Sequence, residues 1–177
     1  MFKELETERL TLREIVVEDA ASLFAIFSRS DVVRHYGQDA FQRVEQAEEM
    51  IRFFQKIFNE KRGVRWGIEL KGTNQLIGTI GYNAWIPKHH RAEIGYELHP
   101  GYWGKGYALE AAEKVIAYGF EKMDLYRIGA VVFLENDASN KLLSRLGFEK
   151  EGMLRGYMYQ EGKPNDTYLY SLLQEKR

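Results

Sequence analysis

The stretch Ala92-Glu93-Ile94-Gly95-Tyr96-Glu97-Leu98, followed by His99-Pro100-Gly101-Tyr102-Trp103-Gly104-Lys105-Gly106-Tyr107-Ala108, decides the fold class of this 177-residue chain. A strand-like segment ends at a His-Pro-Gly turn, and a loop with glycines at 101, 104 and 106 opens straight into a helical pattern. Strand, glycine loop and helix in that order present backbone N–H groups and a helix N-terminus to an anion. Such an end carries roughly half a positive charge and stabilises an anion by about 0.3–1 kcal/mol. The expected guest is a phosphate-bearing cofactor.

Two other glycine loops are excluded by the neighbouring residues. A Walker loop needs Ser or Thr after Gly-Lys to hold magnesium, and here Gly104-Lys105 is followed by Gly106. A Rossmann fingerprint starting at Gly104 needs Gly or Ala where Leu109 stands, so close helix–strand packing would be lost. A plain strand-to-helix linker stays open as the simplest reading of the loop.

Outward from this stretch, the rest of the chain reads as one α/β domain over residues 1–177. Arg9-Leu10-Thr11-Leu12-Arg13 alternates as a half-buried strand. Ala20, Leu23, Phe24 and Phe27 fall on one helical face, and so do Ala47, Ile51, Phe54 and Phe58, with Gly63 as the expected stop. Strands are expected near Val64–Leu70, Leu76–Trp85 and Arg91–Leu98, the first two joined by Lys71-Gly72-Thr73-Asn74-Gln75. Leu109, Ala112, Val115, Ile116 and Phe120 mark the helix after the glycine loop, and Tyr126–Phe133 is a β-branched, aromatic strand. A short helix at Ala138–Leu146 stops at Gly147, and two strands close the chain around Gln160-Glu161-Gly162. The order is β-α-α-β-β-β-α-β-α-β-β: a mixed, mostly antiparallel sheet of six to seven strands flanked by about four helices, with one parallel crossover.

Composition narrows the function class. A hydrophobic content of 45% supplies a real core, and a net charge of −1 offers no footprint for nucleic acid or membrane. No apolar run reaches membrane-spanning length, and the start Met1-Phe2-Lys3-Glu4-Leu5-Glu6 lacks a secretory apolar segment. The absence of cysteine removes disulfides, thiol catalysis and thiolate metal sites. A cytoplasmic protein without metal is expected, and a second copy of the chain stays open as a partner.

Gly101-x-x-Gly104-x-Gly106 after a strand resembles the pyrophosphate loop of the GNAT acetyltransferases, usually Gln/Arg-x-x-Gly-x-Gly/Ala, with Gly101 in the first place. Four segments, one of them containing this loop, resemble the RimJ/RimL branch of that family, which acetylates ribosomal-protein N-termini. They are Thr7-Glu8-Arg9-Leu10-x-Leu12-Arg13, the strand and loop from Ala92 to Ala108, Asn136-x-x-Ser139-x-x-Leu142-Leu143-x-x-Leu146-Gly147-Phe148, and Gly162-x-x-x-Asp166-x-x-x-Tyr170-Ser171-Leu172-Leu173. Together they span nearly the whole chain.

The resemblance implies direct transfer of an acetyl group from acetyl-CoA to a primary amine, a protein N-terminus or a small molecule, in a ternary complex. The pyrophosphate would rest on the N–H groups of Trp103, Gly104, Lys105, Gly106, Tyr107 and Ala108. Pantetheine would run beside Gly95–Leu98, against Tyr96 and Leu98, with a hydrogen bond from Asn136. Ser139 would stand near the thiol as proton donor to the leaving thiolate. Relatives often place a tyrosine one turn further on, where this chain has Leu143, so water or no protein group stays open as the source. Asn136 reads equally well as a helix cap.

An ammonium is not a nucleophile, so a base is expected at the acceptor. Glu93 and Glu97, four apart on a strand, point to one face with Gly95 leaving space between them. The resemblance favours Glu93, and both also read as solvated strand carboxylates. His89 and His90 are expected to face solvent, Trp66, Tyr82 and Trp85 to pack in the core or wall the acceptor pocket, and Asp166 to bind the amine or brace the last hairpin. A non-catalytic acyl-CoA-binding domain is the alternative from another class.

Overall fold

In the computed structural model of the chain, which describes residues 1–174, eight strands form one sheet in the order β1-β2-β3-β4-β5-β6-β8-β7. The strands are β1 (Leu5–Glu6), β2 (Leu10–Glu14), β3 (Val64–Leu70), β4 (Gln75–Ile86), β5 (Arg91–Leu98), β6 (Arg127–Phe133), β7 (Glu149–Gln160) and β8 (Lys163–Leu173). The helices among the described residues are α1 (Ala20–Phe27), α2 (Ser30–Val33), α3 (Val44–Asn59), α4 (Tyr107–Lys122) and α5 (Asp137–Arg145). The class and the order of the long elements match the expectation. The two-residue β1 and the four-residue α2 are additional, too short for any periodicity to announce them.

Side-chain alternation sorts the residues onto two faces. Leu10 and Leu12 are fully buried and alternate with half-exposed Thr11 and Arg13. On one face Trp66, Ile80, Tyr82 and Leu98 pack with Ala111, Ala112 and Val115 of α4 and with Leu143 of α5. On the other, Ile15 and Leu76 pack with Leu23 and Phe27 of α1 and with Ile51, Phe54 and Ile57 of α3. Burying a side chain of that size contributes about 1.5–3 kcal/mol, so the two apolar clusters hold helices on both sides of the sheet.

Gly63 does not stop α3. The helix ends at Asn59, and the left-handed residue is Lys61, with φ 54°. Gly63 instead allows close approach, since a Cβ there would stand 2.7 Å from the Tyr82 carbonyl oxygen. Trp66 and Tyr82 are core residues, with Trp66 Nε1 donating to the Lys3 carbonyl at 2.8 Å and the Tyr82 hydroxyl to the Val115 carbonyl at 2.9 Å. Asp166 Oδ1 accepts the Gly156 N–H at 2.7 Å, bracing the last hairpin. His89 and His90 are exposed.

One departure from regularity positions the site. β5 and β6 form the parallel pair, and their register covers only Arg91↔Arg127, Ala92↔Ile128 and Glu93↔Gly129. Beyond Glu93 the strands separate, while β5 stays paired to β4 from Ile94↔Tyr82 to Leu98↔Gly78. The second half of β5 is therefore a free strand edge, with backbone groups open to a guest.

Candidate active site

The glycine loop is held from a distance. Glu110, in the first turn of α4, accepts hydrogen bonds from the Thr7 hydroxyl at 2.6 Å, the Arg9 N–H at 2.8 Å and Arg9 Nε at 2.7 Å. The same guanidinium donates to the Lys105 carbonyl at 2.9 Å and lies over the Tyr107 ring, 4.5 Å from its centroid. Thr7 and Arg9 of the opening segment thus act as struts for a loop about a hundred residues downstream.

Gly104 and Gly106 have φ of +71° and +82°, which only glycine adopts without strain. A Cβ on Gly104 would meet nothing within 4 Å, so the space beside it is open. None of the N–H groups from Gly104 to Ala108 donates to a protein acceptor among the described residues. With the start of a sixteen-residue helix, they are unengaged backbone donors of the kind that can hold an anion. Lys105 folds back, its Nζ donating to the Gly101 carbonyl at 3.1 Å. The Trp103 indole donates to the Leu98 carbonyl at 2.9 Å, tying the loop to the end of β5.

A cavity of about 590 Å³ runs along this loop, past Tyr96, Leu98, Tyr107, Ala108, Asn136 and Ser139. A second, of about 260 Å³, is lined by Glu93, Gly95, Asn83, Arg65, Leu143 and Met158. His35, Tyr36, Tyr96, Asn136, Ser139 and Leu142 line both, so the two spaces meet at these side chains. At the meeting point the Tyr96 and Ser139 hydroxyls lie 3.0 Å apart. Asn136 caps α5, its Oδ1 accepting the Ser139 N–H at 3.2 Å, which leaves its amide N–H groups for other partners.

The two glutamates of β5 differ completely in surroundings. Glu97 is 5% exposed and bound by Arg65 Nη2, which lies 2.7 Å and 2.6 Å from its two oxygens, and by the Thr79 hydroxyl. Arg65 also donates to the Thr79 hydroxyl and to the Gly95 carbonyl. Burial works against the Arg65 charge, and the Glu97 carboxylate more than reverses it, so the guanidinium pKa is raised. The register Arg65↔Gly81↔Gly95 aligns two glycines with the arginine; a Cβ on Gly81 would stand 2.0 Å from the Val64 carbonyl oxygen, and one on Gly95 would only touch Arg65 Nη1, at 3.4 Å. Glu93, half-buried, has no hydrogen-bond or ion-pair partner among the described residues.

Arg65, Thr79, Tyr36 and Gln160 were not legible as site residues in the sequence. Gln160 Nε2 donates to the Val33 and Gln38 carbonyls at 2.8 and 2.9 Å, and its Oε1 accepts the Gly37 N–H at 3.0 Å. That clamp fixes the segment carrying His35 and Tyr36 over the cavities. Burial raises the Tyr36 phenol pKa, and burial lowers that of the His35 imidazole, so both are neutral near pH 7.

Among the described residues no group of three or more His, Cys, Asp or Glu side chains could hold a metal ion, and no helix is long and apolar enough to cross a membrane. A family model of the acetyltransferase (GNAT) domain matches residues 9–149. The chain is 53% identical over 176 residues to the uncharacterized N-acetyltransferase YoaA of Bacillus subtilis strain 168, covering 99% of each. Its fold matches the crystal structure of a GNAT-family acetyltransferase from Bacillus anthracis with a TM-score of 0.85 at 28% identity, covering 97% of this chain and 98% of that one. It also matches, at TM-score 0.87, a Salmonella typhimurium acetyltransferase described as modifying the N-terminal serine of ribosomal protein L7/L12. There the identity is 19% over 96% of this chain and 97% of that one, a likeness of fold alone. With the loop, the parted strands and these relatives in agreement, the chain belongs to the GNAT family of acetyl-CoA-dependent N-acetyltransferases.

Proposed function

We propose that this enzyme transfers the acetyl group to a primary amine, on a protein N-terminus or a small molecule, by direct attack in a ternary complex, with Glu93 as the base. The observation that carries this reading is the meeting of two cavities at Tyr96 and Ser139, one along the anion-binding loop and one holding an unpartnered carboxylate. Acetyl-CoA would lie in the larger, its pyrophosphate on the N–H groups of Gly104 to Ala108 and its pantetheine along the free edge of β5. The Trp103 N–H, expected in the same cradle, instead donates to the Pro100 carbonyl at 3.1 Å. The amine would enter the smaller.

The base requirement depends on the amine. A lysine-like amine of pKa near 10.4 costs roughly 4 kcal/mol to deprotonate at neutral pH, whereas an α-amine near 7.7–8.0 costs about 1 kcal/mol. Glu93, directly or through a water, takes that proton. The free amine attacks the thioester carbon, the C–S bond breaks, and Ser139 protonates the departing thiolate. Glu97 is the second carboxylate in sequence, but with Arg65 and Thr79 bound to it, its role is to hold the floor of the site. The absence of cysteine and the net charge of −1 support a cytoplasmic setting.

The test is a pH–rate profile of Glu93→Gln against wild type, with saturating acetyl-CoA and acceptors drawn from a thiol-release screen of amines. The loss in turnover should be largest at low pH and shrink toward the amine pKa. An equal loss at every pH would remove Glu93 as base, and wild type releasing no thiol with any amine would favour a domain that only binds acyl-CoA.

A further inference from the structure

We infer that Tyr96 is a positioning residue for the leaving-group proton: its hydroxyl donates to Ser139 Oγ, so that the single hydrogen of Ser139 is free to meet the departing thiolate. The inference rests on the assignment of Ser139 as donor. The two oxygens are 3.0 Å apart where the acetyl-CoA cavity meets the acceptor cavity. Tyr96 reaches that point from β5, and Ser139 from the first turn of α5, whose neighbouring positions on the cavity are the apolar Leu142 and Leu143. Ser139 Oγ has no other hydrogen-bond partner among the described residues, and neither has the Tyr96 hydroxyl.

The chemistry explains why one hydroxyl is not enough. Serine carries one hydrogen and two lone pairs. If Ser139 spends the hydrogen on Tyr96, nothing remains for sulfur. If Tyr96 donates, the hydrogen points into the joined cavities, and each bond in the chain polarises the next. As the C–S bond breaks, its electron pair stays on sulfur. Sulfur takes the Ser139 proton, Ser139 takes the Tyr96 proton, and the proton released by the attacking amine returns through solvent to the phenolate. No net proton is gained or lost. A phenol, ordinarily near pKa 10, lies far closer to a thiol near 8.5 than an aliphatic hydroxyl does, so it is the better terminus for the relay. Burial raises the Tyr96 pKa and thereby keeps the phenol protonated in the resting enzyme, against the smaller opposing effect of the Ser139 hydrogen bond.

The experiment is a double-mutant cycle of Tyr96→Phe and Ser139→Ala, read as kcat and acetyl-CoA KM with an acceptor from the screen, with CoA affinity by calorimetry as the check on folding. Tyr96→Phe keeps the ring and removes only the hydroxyl. It should lower kcat by about tenfold, less than the hundredfold at which direct general acids and bases typically begin, with KM and CoA affinity within about twofold of wild type. In the Ser139→Ala background it should cost nothing more, because the partner through which it acts is gone. A wild-type rate in Tyr96→Phe beside a slow Ser139→Ala would overturn the inference and leave Ser139 as donor. Losses that multiply would overturn it too, showing that Tyr96 acts independently. A wild-type rate in Ser139→Ala would instead remove the donor assignment on which it rests. If Tyr96→Phe loses CoA affinity along with turnover, the hydroxyl is structural and the inference fails.

Discussion

Both carboxylate oxygens of Glu97 lie within 2.7 Å of a single guanidinium nitrogen of Arg65, and both side chains are almost wholly buried. Removing one charge from such a pair leaves the other uncompensated in the interior, at a cost of roughly 3–5 kcal/mol. Glu97→Gln should therefore lower Tm by about 6–20 °C, given 2–4 °C per kcal/mol for a chain of this size. Glu93→Gln should change Tm little, since among the described residues Glu93 has no hydrogen-bond or ion-pair partner to lose. Thermal denaturation of the two variants side by side measures the contrast, and equal shifts would contradict the division of labour between them.

Arg9, paired with Glu110, braces the glycine loop through the Lys105 carbonyl. Arg9→Ala should raise acetyl-CoA KM by about tenfold, below the hundredfold that a misplacement of 1 Å can cost, and alter kcat less. Steady-state kinetics in varied acetyl-CoA tests this. An unchanged KM would show that the loop holds its shape alone.

Gly104 offers a cleaner test of the loop than its neighbours. An added Cβ meets no atom within 4 Å, so the folded chain bears only the left-handed backbone strain, roughly 1–2 kcal/mol. A guest phosphate in the same space would meet it directly. Gly104→Ala should weaken CoA binding by about tenfold, worth 1.4 kcal/mol, while the protein stays folded at 25 °C. Calorimetric titration with CoA decides it, and wild-type affinity would take the pyrophosphate off this loop.

Glu151 ties β7 to β6 and β8. Arg127 donates to its two oxygens at 2.5 and 2.7 Å, and the Ser171 hydroxyl adds a bond at 2.6 Å. The Arg127 hydrogen bonds, with that of Ser171 next, hold its pKa at about 2, below an ordinary value of 4.5. A depressed carboxylate pKa means stability that is complete above the unfolded value and lost as pH falls through the folded one. The stability difference between wild type and Glu151→Gln should be flat above pH 5 or so and shrink between about pH 4.5 and 2. Urea denaturation across that range checks the sign, and a difference that grows toward acid would reverse it.

The amphipathic periodicity that wrote the long helices, the alternation that wrote β2, β3 and β5, and the glycines of the anion loop are all local properties. Burial repeats every two or three to four residues along the chain, and a left-handed φ belongs to one residue at a time. These features, and with them the fold class and the family, were readable without coordinates. The sequence also put Glu93 and Glu97 on one face and saw Gly95 as a gap between them. It could not show what fills the gap. Arg65 is 32 residues from Glu97, and it reaches Glu97 and the Gly95 carbonyl because three strands align Arg65, Gly81 and Gly95. That alignment neutralises one carboxylate and leaves the other free, a difference no spacing rule contains. The same holds for Arg9 on Glu110, 101 residues away, and for Tyr96 beside Ser139, 43 residues away. Pair energies depend on distance in space and on the low dielectric that burial creates, so only the tertiary structure decided which of the chemically able residues is paired, which is free, and which two hydroxyls meet.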